Sequence, residues 1–160
     1  MRGFGARSSS GFTFLELLVV TAIIMVLAMG ALPMVRVSIR RQRETDYRYT
    51  LKTVRAAIDK FKDNCDAGRL AQTEMVYGAD CYPTSLEQLV EGALIANDST
   101  GKRMKFLRKI PIDPMTGKNE WGMRSMQDDA TSDSWGGQNV FDVYSKSDGI
   151  ALDDSKYKDW

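Results

Sequence analysis

From Leu17 to Val35 the chain runs for 19 residues without a charged side chain. At 1.5 Å per residue a helix of that length spans about 28 Å, close to the thickness of a bilayer's hydrocarbon core. The rest of the chain is polar, with clustered charges. The pattern predicts one membrane segment joined to one soluble domain of about 120 residues, a common domain size.

At the head of the run stands Glu16, four residues after Phe12, and Phe12 follows Gly11. One reading is a secretory signal peptide, with Ala28-Met29-Gly30 as a small-residue cleavage site. The run is too long for a typical signal core, and a Glu near its start weakens insertion for no evident gain. A plain signal anchor accounts for everything except Glu16 and Gly11. A carboxylate at a membrane span calls for a partner. Cleavage after Gly11 would create one, a free amine on Phe12 one helical turn from Glu16. Within one chain or between neighbours, amine and carboxylate neutralise each other; unpaired in a low dielectric, each is costly. Glu16 then becomes a register device for packing identical helices.

Gly11-Phe12-Thr13, followed by Glu16 and an apolar helix, resembles the class III signal of type IV pilins and type II secretion pseudopilins. The resemblance implies that a prepilin peptidase cuts after Gly11 and methylates the new N-terminus, Phe12. It implies that Glu16 recruits each subunit to a growing filament, and it accommodates Pro33 as a helix-distorting residue. The expected organisation is a leader over 1–11, a transmembrane and filament-core helix over 12–35, a periplasmic continuation of that helix over 36–64, and a globular periplasmic domain over 65–160.

Charge patterning argues the other way about orientation. Arg36, Arg40, Arg41 and Arg43 follow the span, against Arg2 and Arg7 before it. The positive-inside rule alone places the C-terminal side in the cytoplasm, whereas the resemblance places it in the periplasm. Net charge favours neither side. Removing Arg2 and Arg7 from the 22 basic residues leaves 20 against 21 acidic ones. The arginines read as solvated at the membrane edge, or as partners for acidic surfaces of neighbouring subunits.

Beyond the span, Tyr47, Leu51, Val54, Ile58, Phe61 and Cys65 recur at alternating intervals of four and three, one apolar stripe along a helix. Arg48, Lys52, Arg55, Asp59, Lys60 and Lys62 fall on the other face and read as solvation. A single helix over 12–64 would be about 80 Å long, weakened or kinked at Pro33. Cys65 and Cys81 are predicted to pair if the domain is exported, and otherwise to be two small core residues.

Further along, Thr84 and Glu87 read as a capping box opening a second helix, with Gly92 as its stop. The Tyr82-Pro83-Thr84 segment is similar to the start of the second helix in major pseudopilins. Ile110 to Gly117 is a turn-rich connector that resembles the Pro-x-Asp-Pro-x-x-Gly connector of the same proteins. Residues 119–126 and 139–146 read as strands, separated by a polar loop carrying Asp128, Asp129 and Asp133. Trp121, Trp135 and Trp160 read as packing anchors.

Near the end, Asp148, Asp153 and Asp154 cluster around Gly149. Hard oxygen ligands on one loop suit Ca²⁺, but EF-hand spacing is missing. The pseudopilin resemblance implies a Ca²⁺ site with these three aspartates and Ser145. The alternative is an exposed acidic turn capping local N–H groups.

With no His in 160 residues and a net charge of +1, the chain lacks the commonest general base and any electrostatic footprint for nucleic acid. No nucleophile–base pair is legible, so the chain is not expected to be an enzyme. The fold predicted is a pilin-like α+β: a long N-terminal transmembrane helix packed on a small antiparallel sheet, with a second short helix. The resemblance implies the major subunit of a type II secretion pseudopilus. Its partners would be identical subunits, the prepilin peptidase, an inner-membrane assembly platform with its ATPase, minor pseudopilins and, indirectly, a secretin. A true type IV pilin for adhesion, motility or DNA uptake is the alternative, followed by a membrane-anchored metal-binding domain. Pilins commonly close a large C-terminal loop with a late Cys pair, and here the pair is early.

Overall fold

The structure is a computed structural model and describes residues 11–74 and 77–160. The leader expected over 1–11 lies, apart from Gly11, outside the described residues. In order come helix α1 (Phe14–Asp66), a 3-10 turn (Gln72–Glu74), helix α2 (Leu86–Glu91), strands β1 (Ala93–Leu94), β2 (Arg103–Met104), β3 (Trp121–Arg124) and β4 (Asp142–Ser145), and a last 3-10 turn (Tyr157–Asp159). The strands form two antiparallel pairs, β1 with β2 and β3 with β4. This is the expected α+β architecture, and it is consistent with a pilin-like fold.

The chain divides into two compact units, Met1–Arg40 and Arg41–Trp160. The division falls inside α1 rather than at residue 35 or 64. The reason lies in the stripe: from Tyr47 to Cys65 every predicted stripe residue is buried, so this half of the helix belongs to the core of the globular unit. In the first unit, every large apolar side chain from Phe14 to Met29 is exposed. The helix is long and apolar enough to cross a membrane, and it continues through position 33 rather than ending there.

Around the stripe close Leu70, Leu86, Leu89, Ala93, Trp121, Val140, Val143, Ala151 and Tyr157. The Cys65–Cys81 disulfide, with its Cα atoms 5.6 Å apart, ties the end of α1 to the segment before α2. Closing a loop of this size stabilises by about 3 kcal/mol in the chain-entropy model. The cap of α2 sits one residue later than predicted. Ser85, not Thr84, accepts from the Gln88 N–H at 3.3 Å. The Gln88 side-chain oxygen in turn accepts from the Thr84 N–H at 2.9 Å. Glutamine thus does here what was expected of Glu87. Gly92 ends the helix with φ 84°, in the region that favours glycine.

Two strands went unpredicted. β1 and β2 hold only two residues each and pair Ala93 with Met104 and Leu94 with Arg103, too short for any periodicity. β3 and β4 are shorter than the predicted ranges, with Trp121 opposite Ser145 and Arg124 opposite Asp142. The alternation expected along β4 breaks: Val143, Tyr144 and Ser145 are all buried. Tyr144 is covered because the Arg124 guanidinium stacks on its ring, 4.2 Å from the centroid.

The polar centre of the core is the Tyr47 hydroxyl. It accepts from the Ser145 N–H at 2.9 Å and donates to the Tyr157 carbonyl at 2.9 Å. Ser145 Oγ donates to Asp113 Oδ2 at 2.6 Å, and Asp113 also accepts from Met115 N–H and the Thr116 hydroxyl. Asp113 is fully buried yet satisfied, as a buried carboxylate must be.

Two outcomes follow. A Cβ at Gly92 would lie 2.5 Å from the Met104 carbonyl oxygen. Gly92→Ala should therefore cost about 2–4 kcal/mol in backbone strain and displacement of β2; an unchanged urea midpoint for the detergent-solubilised protein would contradict this. Burial pushes the Tyr47 phenol from 10.0 up to about 12, against the opposing pull of the Ser145 N–H. The unfolded chain ionises first, so this contribution is intact below pH 10.0 and declines as pH rises toward 12. The expected slope is about 1.4 kcal/mol per pH unit. Tyr47→Phe should cost about 1–3 kcal/mol at neutral pH and lack that slope, which unfolding curves of the two proteins across the alkaline range will show.

Candidate processing and assembly site

Gly11, Phe12 and Thr13 precede α1 as non-helical chain, and all three are exposed. Thr13 begins the helix. Its hydroxyl accepts from the Glu16 N–H and its carbonyl accepts from the Leu17 N–H, each at 3.2 Å. A threonine cap followed three residues later by a glutamate is the pattern of a capping box. Thr13 was missed as a functional residue in the sequence, although the Thr-x-x-Glu spacing marks it there.

Glu16 lies in the first turn, where a carboxylate offsets the positive end of the helix dipole. An ammonium on Phe12 would sit one residue before the cap, adding positive charge at that same end. The geometry thus holds a carboxylate where cleavage would place a cation. Gly11 has a different character. A Cβ there would meet no atom within 4 Å, so the fold places no steric demand for glycine at this position. Large exposed apolar side chains follow from Leu17 to Met29.

At the other end of the sequence, the residues considered for Ca²⁺ are placed apart in role. Ser145 Oγ is buried and spent on Asp113 and on the Ser147 N–H. Asp153 accepts from the Ser155 hydroxyl and N–H, and the hydroxyl above all holds its carboxyl below the ordinary range. Asp148 and Asp154 are exposed. The three carboxylates do not form a group with all ligand atoms within 4.8 Å of one another. Among the described residues, the potential ligands that do come together are Cys65, Asp66 and Cys81. Both sulfurs are consumed by the disulfide, and Lys62 Nζ takes Asp66 at 2.9 Å.

Two carboxylates of the polar loop after β3 also have partners within the chain. Asp128 accepts from the N–H groups of Gly136 and Ser125, which hold its carboxyl below the ordinary range. Asp133 pairs with Lys158 at 2.7 Å.

Two arginines on α1, read in the sequence as solvation alone, also make contacts within the fold: Arg48 stays exposed and Arg55 is half-buried. Arg55 donates to both oxygens of Asp142, at 2.6 and 3.0 Å, and to the Trp160 carbonyl at 2.7 Å. Arg48 lies over the Trp160 ring, 3.9 Å from its centroid. Nothing in the local sequence marks these contacts, because their partners are about 90 to 110 positions away. Trp121 and Trp160 pack against Tyr47 as anchors. Trp135 is held by its indole N–H on the Asn139 carbonyl and stays 38% exposed.

Residues 6–32 match the prokaryotic N-terminal methylation motif. No curated protein matches the chain, and no solved structure does.

Proposed function

We propose that this chain, which the methylation motif indicates to be a type IV pilin-like subunit, serves as the major subunit of a type II secretion pseudopilus. The observation that carries the filament reading is the N-terminus of α1. An exposed Gly-Phe bond with no described atom demanding glycine, a carboxylate fixed in the first helical turn, and an apolar helix whose large side chains from Phe14 to Met29 are exposed belong together. Each is costly or pointless in a lone anchor and useful in a homopolymer. A peptidase reads the glycine. The new amine of one subunit and Glu16 of a neighbour set the register. The apolar flanks then pack against copies of themselves.

Assembly would proceed from the inner membrane, with the globular unit on the periplasmic side. The disulfide supports this orientation against the arginines that follow the span, since disulfides persist in oxidising compartments. By the same reading, a platform and its ATPase add subunits, minor pseudopilins start the filament, and the growing filament pushes folded cargo toward a secretin. A pseudopilus is favoured over an adhesive pilus by the early disulfide, which closes only the segment between α1 and α2. The C-terminal segment is instead held by non-covalent contacts to α1.

Mass spectrometry of protein made beside a prepilin peptidase should find methyl-Phe12 as the first residue. An intact leader, or a cut near Gly30, would overturn the filament reading. Glu16→Ala should still be cleaved but should not enter filaments, whereas Glu16→Ala filaments of normal length would remove Glu16 from assembly. Loss of secreted enzymes, with no change in surface adhesion or twitching, distinguishes the pseudopilus from the pilus.

A further inference from the structure

We infer that the C-terminal loop of this protein is closed by side chains of α1 instead of by a bound Ca²⁺ ion. The inference concerns the single folded chain and does not depend on the filament reading.

The segment from Ile150 to Trp160 doubles back on itself through an isolated bridge between Ile150 and Lys156. A turn this short and acidic needs something to hold its two limbs together, and a cation ligated by several of its oxygens is one solution. Here a glutamate supplies the cross-link. Glu44 Oε1 accepts from the Leu152 N–H at 2.9 Å on one limb and from the Tyr157 hydroxyl at 3.0 Å on the other. One turn further along α1, Arg48 stacks on the Trp160 ring and stands 3.6 Å from Asp153. Arg55 takes the Trp160 carbonyl, and Tyr47 takes the Tyr157 carbonyl. The helix therefore presents an acceptor, a donor and two cationic groups along one edge, each matched to a group of opposite character in the loop.

Several oxygens of the loop already accept hydrogen bonds from the chain itself. The Ala151 carbonyl accepts from the Asp154 N–H at 3.1 Å, and the Gly149 carbonyl accepts from the Tyr157 N–H at 3.3 Å. The Asp153 carboxylate is taken by Ser155, and Ser145 Oγ by Asp113. Ser155 Oγ also accepts from the Trp160 indole N–H at 2.6 Å. To ligate an ion, the loop would have to break several of these bonds and swing Asp148 and Asp154 inward. A carboxylate and two guanidiniums on a rigid helix do the same cross-linking without that rearrangement.

The test uses the full chain in detergent micelles, with millimolar Ca²⁺ or with EGTA. Thermal unfolding should give the same midpoint in both, and Asp148→Asn should leave it unchanged. Glu44→Ala should lower the midpoint by about 4–8 °C and speed amide exchange at Leu152 about tenfold or more. If Glu44→Ala does not fold, Arg48→Ala serves, read by the fluorescence and accessibility of Trp160. A Ca²⁺-dependent rise in the wild-type midpoint that Asp148→Asn abolishes would overturn the inference. So would a Glu44→Ala protein with wild-type exchange at Leu152. Neither result bears on whether Phe12 is methylated or filaments form, so the two proposals fail separately.

Discussion

One hydroxyl group joins the parts of the globular unit. Tyr47 brings its phenol from α1 into a place with no solvent, where it accepts from the backbone of β4 and donates to the backbone of the C-terminal turn. Its ring is stacked on Trp121 and packed by Tyr157 and Trp160. Sheet, connector and tail therefore share a polar centre, continued through Ser145 to the buried Asp113. Two short strand pairs contribute little ladder of their own, and isolated hairpins are marginal in water. What makes them stable is this centre together with the apolar stripe on which they lie.

The same economy governs the tail. A loop rich in Asp is electrostatically unfavourable unless something positive or hydrogen-bonded meets it. Ser155, Arg48 and Lys158 meet Asp153 and Asp133, and Glu44 takes up the exposed donors of the turn. Most of these pairs are at the surface, where water screens them. Their value is geometric: several weak contacts from one helix define a single position for the loop. The half-buried pair of Arg55 with Asp142, bidentate and shared with the Trp160 carbonyl, anchors the far end.

The first half of α1, long and apolar enough to cross a membrane, follows a different physical logic. Its large apolar side chains from Phe14 to Met29 are exposed, which is unfavourable in water and neutral in lipid or against copies of the same helix. Its one acidic group, Glu16, sits at the head, beside a threonine cap that fixes the helix start. A chain built this way keeps its assembly surface outside its own fold.

Much of this was legible in the sequence. The uncharged run, the glycine before Phe12, the misplaced glutamate and the stripe from Tyr47 to Cys65 are local patterns, fixed by the helical period and by the energetics of charge in an apolar medium. They determined the class of fold, the segment meant for membrane or filament, and the half of the helix meant for a core. The second helix, its glycine stop and the two longer strands were also readable, because turn and cap chemistry is written within four residues. The tertiary structure alone decided the rest. That Arg55 meets Asp142, that Glu44 closes the tail, and that Ser145 turns to Asp113 depend on residues 32 to 113 positions apart. An acidic cluster looks the same in sequence whether it surrounds a metal or lines an edge of hydrogen bonds. Packing alone brings the oxygens of the loop to donors that α1 and the loop's own backbone supply.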